Sequence, residues 1–140
     1  MAVINHLLTK HFQGRTSIEN VTQEIQEVVG QSGLQSGIVT IFIKHTTASV
    51  MIIEDEPGIR ADTQALWDHL VPMDPTWQHN TRNPGEDNGH SHLRGQLQGP
   101  SLTIPFMKGV LTLGTWQQIV LVDFDTRPRT REYILQLMGE

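Results

Sequence analysis

The residues best suited to chemistry lie close together in the segment 85–95, which holds two histidines, two acids and an arginine between glycines. In an extended chain alternate side chains share a face, so His90 and His92 would point together, with Asp87 and Arg94 flanking them. Imidazole suits zinc, copper, nickel or iron, and a carboxylate beside it widens the choice toward manganese or magnesium. A loop rich in Gly, Asn and Ser is also typical of a plain solvated turn. Further ligands from elsewhere in the chain must therefore decide between a metal site and a turn.

Length and composition limit what such a site can be. The chain has 140 residues, which predicts a single domain over residues 1–140 that can bury a core without disulfides or a structural metal. It contains no cysteine, so any metal would be held by nitrogen and oxygen, and a cysteine nucleophile is excluded.

Charge and hydropathy predict the surroundings of the protein. The formal net charge is −5 and no basic cluster occurs, which argues against a nucleic-acid partner. The apolar runs are far shorter than the roughly 20 residues that a membrane span needs. The sequence therefore predicts a soluble, cytoplasmic protein with neither nucleic acid nor a membrane as partner.

The elements that must position the site are predicted from periodicity. Apolar residues at helical spacing from Ile18 to Val29 predict a first helix, which Asn20 or Thr22 can cap and which ends at Gly30. They also predict a second helix that begins at Pro57 and stops before Val71 and Pro72. The β-branched run 38–43 predicts a strand buried on both faces. Short strands with turn signals, including a hairpin turn at Lys108–Gly109, fill the last forty residues. The sum is seven or eight strands with two helices, an α+β domain with a mostly antiparallel sheet.

Three polar segments interrupt this pattern: 45–49 with Glu54, 79–92 and 114–117. Together they make the chain resemble the YjbQ-like family over nearly its whole length. The first lies where the strand 38–43 ends, a suitable place for a site, and another falls in the long polar segment 73–99. The motifs that carry the resemblance are His45-Thr46-Thr47-Ala48-Ser49, Glu54 with Arg60 and Asp62, His79, Gly85-x-Asp87, Ser91-His92-Leu93-Arg94, Ser101-Leu102-Thr103-Ile104-Pro105 and Gly114-Thr115-Trp116-Gln117.

The resemblance implies a two-layer, mostly antiparallel β-sandwich with two flanking helices, assembled as a homotrimer with sites near subunit boundaries. It also implies a histidine site at His45, His79 and His92. Family members often carry a residue such as proline where this chain has His90, so the resemblance demotes His90, whereas its spacing alone pairs it with His92.

The chain departs from some relatives at two places. Ile53 precedes Glu54 at a position where those relatives often have asparagine. Residues 123–125 are Asp-Phe-Asp, whereas some relatives have an acid-histidine-arginine motif there. Roles borrowed for those positions would be unsafe, whereas Arg131 still matches a basic position of the pattern.

Family members have been linked to a secondary thiamine-phosphate synthase activity, which implies a pyrimidine diphosphate and a thiazole phosphate as substrates. The leading hypothesis is therefore an enzyme of that type, a transferase acting on small phosphorylated molecules. His45, His79 and His92 would hold a divalent cation such as zinc, manganese or magnesium, with one position left open. Asp87 and Glu54, the expected catalytic residues, would act as additional ligands or as proton-transfer groups. The expected substrate-binding residues are Thr46, Thr47, Ser49, Arg94, Thr115 and Arg131.

Three alternatives stay open. The same residues could form a metal-binding or anion-binding module without turnover, or support metal-assisted hydrolysis of a small phosphate ester or amide. They could also do no more than satisfy backbone groups at bends. The absence of a glycine-rich phosphate loop and of a Gly-x-Ser-x-Gly elbow argues against nucleoside triphosphatases and serine hydrolases.

Overall fold

Two antiparallel sheets form the frame of the protein in a computed structural model that describes residues 1–140. One sheet has five strands in the order β1-β8-β3-β5-β6 and the other has three in the order β2-β7-β4. The strands are β1 (Ala2–Phe12), β2 (Ser17–Asn20), β3 (Ser36–Ile43), β4 (Ala48–Ile53), β5 (Ser101–Met107), β6 (Val110–Leu111), β7 (Gln118–Asp123) and β8 (Arg129–Gly139). The predicted α+β sandwich with antiparallel pairing is confirmed.

Four helices flank the sheets, not the two that were predicted: α1 (Thr22–Gln31), α2 (Pro57–Leu70), α3 (Gln78–Arg82) and α4 (Gly89–Gln98). The helix α2 has its predicted limits, and the Glu56 carboxylate caps it by accepting from the backbone N–H of Gly58 and Ile59. The helix α1 begins at Thr22, one of the two predicted cap residues, whereas Ile18 of the predicted apolar stripe pairs with Val122 in the small sheet. No helix is long and apolar enough to cross a membrane.

The strand that is buried on both faces is β7, not β3. In β3 burial alternates, with Val39 and Ile41 inside and Phe42 41% exposed, because only one face of the large sheet is covered. In β7, Ile119 and Leu121 join the main core with α1, while Val120 and Val122 pack with Trp67 of α2 in a second core. The small sheet is thus sandwiched, so its central strand has no face in water.

The segment singled out for chemistry is helical where an extended strand was expected. Residues two apart in an α-helix are separated by about 200°, so His90 and His92 of α4 lie on different sides. His90 is 4% exposed and lies on the side of α4 that faces the protein interior, whereas His92 is half-buried on a different side of the helix. The prediction that the two rings share one face is wrong.

A tight turn and a helix glycine control how closely neighbouring elements approach one another. Lys108 and Gly109 both have positive φ, 53° and 70°, the requirement of the predicted tight hairpin turn. Gly95 in α4 approaches the β3–β4 connection so closely that a Cβ there would lie 2.8 Å from the carbonyl oxygen of Thr46. A glycine at this position therefore sets the distance between α4 and the connection.

Candidate functional site

A cleft of about 500 Å³ opens between the β3–β4 connection and α4. It has mainly apolar walls into which a few polar side chains project, the composition of a small-molecule site. His45 and Lys44 come from the end of β3, and His92 comes from α4. The remaining lining residues are Phe42, Ile43, Thr46, Ala48, Gly95, Gln96 and Pro100.

His45 has one ring nitrogen already committed. Its Nε2 accepts a hydrogen bond of 2.9 Å from the backbone N–H of Glu132, so the proton of the neutral ring must lie on Nδ1. Burial, followed by the charge of Arg131, lowers the pKa of His45 against the opposing effect of Glu132. His45 is therefore a neutral hydrogen-bond donor at pH 7.

His92 lies between two cavities. It lines the cleft and also a neighbouring pocket of about 380 Å³ that includes Trp77 and His79. The rings of His79 and His92 are 4.5 Å apart between centroids and tilted by 54°. Burial, followed by the adjacent His79, lowers the pKa of His92. A neutral ring always keeps one unprotonated nitrogen, so His92 can accept a proton.

The three histidines expected to bind a metal do not form one ligand cluster. His92 shares the cleft with His45 and contacts His79, but no group of three or more His, Cys, Asp or Glu side chains is placed to hold an ion. A zinc site needs at least three protein ligands. The donors of this chain do not fit the expected divalent ion, and no chemical step is derived through one.

The two expected catalytic acids lie away from the cleft. Asp87 is exposed, accepts a hydrogen bond of 2.8 Å from the Thr126 hydroxyl and lines a different cavity beside Glu86. Glu54 is exposed at the end of β4. Neither carboxylate therefore lines the cleft that holds His45 and His92.

The expected substrate-binding residues divide into two groups. Thr46 lines the cleft, and Thr115 is exposed in the turn before β7. Thr47, Ser49, Arg94 and Arg131 are buried and bonded within the protein. Ser49 donates to the carbonyl oxygen of Gly95, and the Arg94 guanidinium donates to the Thr16 hydroxyl, the Val71 carbonyl and the Asp68 carboxylate. None of these four lines the cleft.

Sequence reasoning missed a buried network behind the cleft. Arg131 donates from Nε and Nη2 to the carboxylate of Asp123, at 2.6 and 3.2 Å, and from Nη2 to the Thr47 hydroxyl. Thr47 in turn donates to Asp125, which also accepts from the Asn88 amide at 3.3 Å. The sequence feature that could have indicated this network is the Asp-x-Asp motif, residues 123–125, at the end of the apolar run of β7. We define Asp123, Asp125, Arg131 and Thr47 as the carboxylate–arginine network.

Comparison with known proteins identifies the class. The family described as "UPF0047 protein YjbQ-like" matches residues 7–140, and the chain belongs to this family. A UPF0047 protein of Synechocystis sp. is 38% identical over 130 residues, which cover 91% of this chain and 86% of the relative. The UPF0047 protein YugU of Bacillus subtilis is 32% identical over 89% of this chain and 92% of its own.

Solved structures agree with the fold. A crystal structure of a hypothetical protein from Aeropyrum pernix K1 superposes with a TM-score of 0.90 at 31% identity, covering 98% of this chain and 99% of that one. A YbjQ-like protein of unknown function from Sulfolobus solfataricus P2 gives 0.88 at 27% identity, covering 99% and 100%.

These findings correct the leading hypothesis. The family and its relatives are described only as UPF0047 proteins, and both neighbouring structures are described as hypothetical or of unknown function. Nothing in them supports a thiamine-phosphate synthase, and the chain lacks the required group of metal ligands. The prediction of a synthase-like enzyme built on a histidine metal site is wrong on these findings.

Proposed function

We propose that the cleft is a metal-independent acid–base site for a small organic molecule. The observation that carries this proposal is that His45 and His92, two neutral imidazoles, line the same cleft. His45 can donate only from Nδ1–H because the Glu132 backbone occupies its Nε2, and neutral His92 keeps a nitrogen that accepts a proton. A donor and an acceptor facing one ligand are the minimum for general acid–base chemistry.

The ligand class that fits best is a small phosphorylated molecule. Lys44 lines the cleft with its side chain 45% exposed, and its nearest carboxylate, that of Glu132, is 3.7 Å away. Such a contact is worth little, so the ammonium can turn to a bound anion. The Nδ1–H of His45 and the Thr46 hydroxyl add donors, and hydrogen bonds to a charged acceptor are the stronger kind.

The resulting chemistry is proton transfer on the bound molecule. With the anionic end at Lys44, the rest of the ligand lies along the apolar wall of Phe42, Ala48 and Pro100 toward α4. There His92 would accept a proton from a hydroxyl or an acidic C–H group. The hydrogen bond from His45 would stabilise the negative charge that develops on a neighbouring oxygen.

Ligand-observed NMR with matched compounds tests the proposal. The probes are glycerol 3-phosphate against glycerol and ribose 5-phosphate against ribose. We expect each phosphorylated compound to bind at least about tenfold more tightly than its partner, a difference of about 1.4 kcal/mol. The Lys44→Gln variant should lose that preference, and His92→Gln should keep the phosphate preference while losing ligand contacts near α4.

Lys10→Gln is the matched control for the loss of a lysine, because Lys10 is paired with Glu24 outside the cleft. It should bind the probes as the wild type does. Equal binding of phosphorylated and unphosphorylated probes, or equal losses in Lys44→Gln and Lys10→Gln, would contradict the proposed ligand class.

We further propose that the protein assembles as a homotrimer. Support comes from the uncovered face of the five-stranded sheet, which exposes the apolar side chains Val3, Leu7, Ile38, Phe42, Met107 and Met138. Phe42 belongs both to this face and to the cleft, so a neighbouring subunit would border the site. Light scattering should give three times the chain mass for the wild type and a smaller assembly for Phe42→Asp; a monomeric wild type would contradict the proposal.

A further inference from the structure

The residue Asn88 has an unusual role at the start of α4. It is the N-cap residue and 8% exposed. An asparagine in this position ordinarily accepts a hydrogen bond from the first turn of its own helix, yet the Asn88 side chain makes no such bond. Its amide instead bridges two distant residues, with Nδ2 3.3 Å from Oδ1 of Asp125 and Oδ1 3.1 Å from Nε2 of His79.

The direction of these two bonds is fixed by Asp125. Burial alone would raise the pKa of Asp125, but hydrogen bonds from the Thr126 backbone, the Thr47 hydroxyl and Asn88, with the charge of Arg129, lower it. The carboxylate is therefore ionised at pH 7 and can only accept. The NH₂ group of Asn88 must face it, which leaves the amide oxygen for His79.

An oxygen that faces a ring nitrogen requires a proton on that nitrogen. We infer that Asn88 is a positioning residue. The Asp125 carboxylate orients the Asn88 amide, and the amide oxygen holds the His79 ring as the Nε2–H tautomer against His92. The inference rests on the proposed function for its purpose, since a fixed His79 keeps the neighbouring imidazole in place beside the cleft. The assignment of the tautomer itself depends only on the geometry of Asp125, Asn88 and His79.

Long-range ¹H–¹⁵N NMR of the histidine rings tests the inference, because it distinguishes the two tautomers directly. We expect the wild-type His79 at pH 8 to show one tautomer, with the proton on Nε2. In Asn88→Leu, which keeps the side-chain volume and removes both hydrogen bonds, we expect that single state to be lost and a mixture of tautomers to appear. A role limited to packing would leave the tautomer unchanged.

Asn83→Leu is the matched control. Its amide donates to the backbone carbonyl of His79 at 2.8 Å and not to the ring, so the Nε2–H state should persist. Should Asn88→Leu fail to fold, Asp125→Asn supplies the second variant: with an amide in place of the carboxylate, Asn88 can turn either way and the preference should again be lost.

An Nδ1–H tautomer in the wild type, or an Nε2–H state that survives in both Asn88→Leu and Asp125→Asn, would overturn the inference. The spectra are recorded without ligand, so their outcome is independent of whether the cleft binds phosphorylated molecules.

Discussion

The carboxylate–arginine network and the cleft that holds His45 and His92 lie side by side, and both contain ionisable side chains. In the network every charge has a partner within the protein: Asp123 is fully buried and receives both a guanidinium nitrogen pair and the backbone N–H of Asp125. In the cleft, by contrast, His45 has an uncommitted Nδ1–H, and Lys44 makes only a solvent-exposed ion pair of 3.7 Å with Glu132.

This difference separates groups that hold the fold from groups that can meet a ligand. A buried charge must be compensated inside the protein because desolvation costs several kcal/mol per ion. Half-buried groups with unused donors and acceptors carry no such requirement, since water satisfies them until a ligand arrives. Arg131, which the sequence predicts to bind substrate, belongs to the first kind, and Lys44, which is not among the predicted site residues, belongs to the second.

The largest predicted effect is on the network. Arg131→Met would leave Asp123 buried without its counterion, and the free energy of unfolding should fall by about 3–5 kcal/mol. Urea denaturation measures the change. Arg129→Met is the control: this arginine lies on the same strand and contacts Asp125 at 3.5 Å, but its side chain is 43% exposed, so a loss of about 1 kcal/mol or less is expected. Similar losses of unfolding free energy in the two variants would contradict the distinction between the buried, internally paired network and the exposed charges.

A middle-sized effect is predicted at Gly95, where the cleft meets the fold. In Gly95→Ala the new Cβ would meet the Thr46 carbonyl, at a cost of about 1–3 kcal/mol, partly offset by about 1 kcal/mol of helix propensity. Gly30→Ala in α1 is the control because nothing lies within 4 Å of its Cβ position; it should gain stability. Thermal unfolding of both variants compares the signs, and a stabilised Gly95→Ala would show that α4 is not tightly held there.

The smallest effect concerns pH. The folded-state pKa values of His45 and His92 in the cleft, and of the buried His90 outside it, are lowered by burial, so below an unfolded pKa of about 6.5 the unfolded chain takes up protons that the folded chain resists. Stability should therefore decline as pH falls from 7.5 to 5.5. Urea denaturation should show a weaker decline in His92→Gln, with stability near that of the wild type at pH 7.5. Parallel pH curves would mean that His92 is not held neutral.

Much of the frame could be predicted from the sequence because it depends on local patterns. The alternation of apolar and polar residues in strands, the turn residues and the start of α2 at Pro57 can each be predicted from neighbouring residues. The helix α4 cannot be predicted in this way, since Gly89, Ser91 and Gly95 are weak helix formers. Its stability is tertiary: the Ser91 hydroxyl donates to the Phe124 carbonyl, and Ser49 donates to that of Gly95. No periodicity reveals such contacts.

The site was predictable only in part, for a related reason. The resemblance selected His45, His79 and His92, and the structure places His92 in one cleft with His45 and 4.5 Å from His79 between ring centroids. The two expected acids lie outside this cleft: Asp87 precedes the first turn of α4 and accepts from Thr126, and Glu54 follows β4. The roles of Asn88 and Asp125 depend on a contact across 37 residues, which a single sequence does not show.

The double burial of β7 bears on how the molecule comes apart. Its alternate side chains belong to two separate cores, one with α1 and one with Trp67 of α2. Neither core can loosen without exposing one face of this strand, so we expect both to unfold in one cooperative event. Tryptophan emission, to which the buried Trp67 contributes, and the circular dichroism of the sheets should thus follow a single denaturation curve.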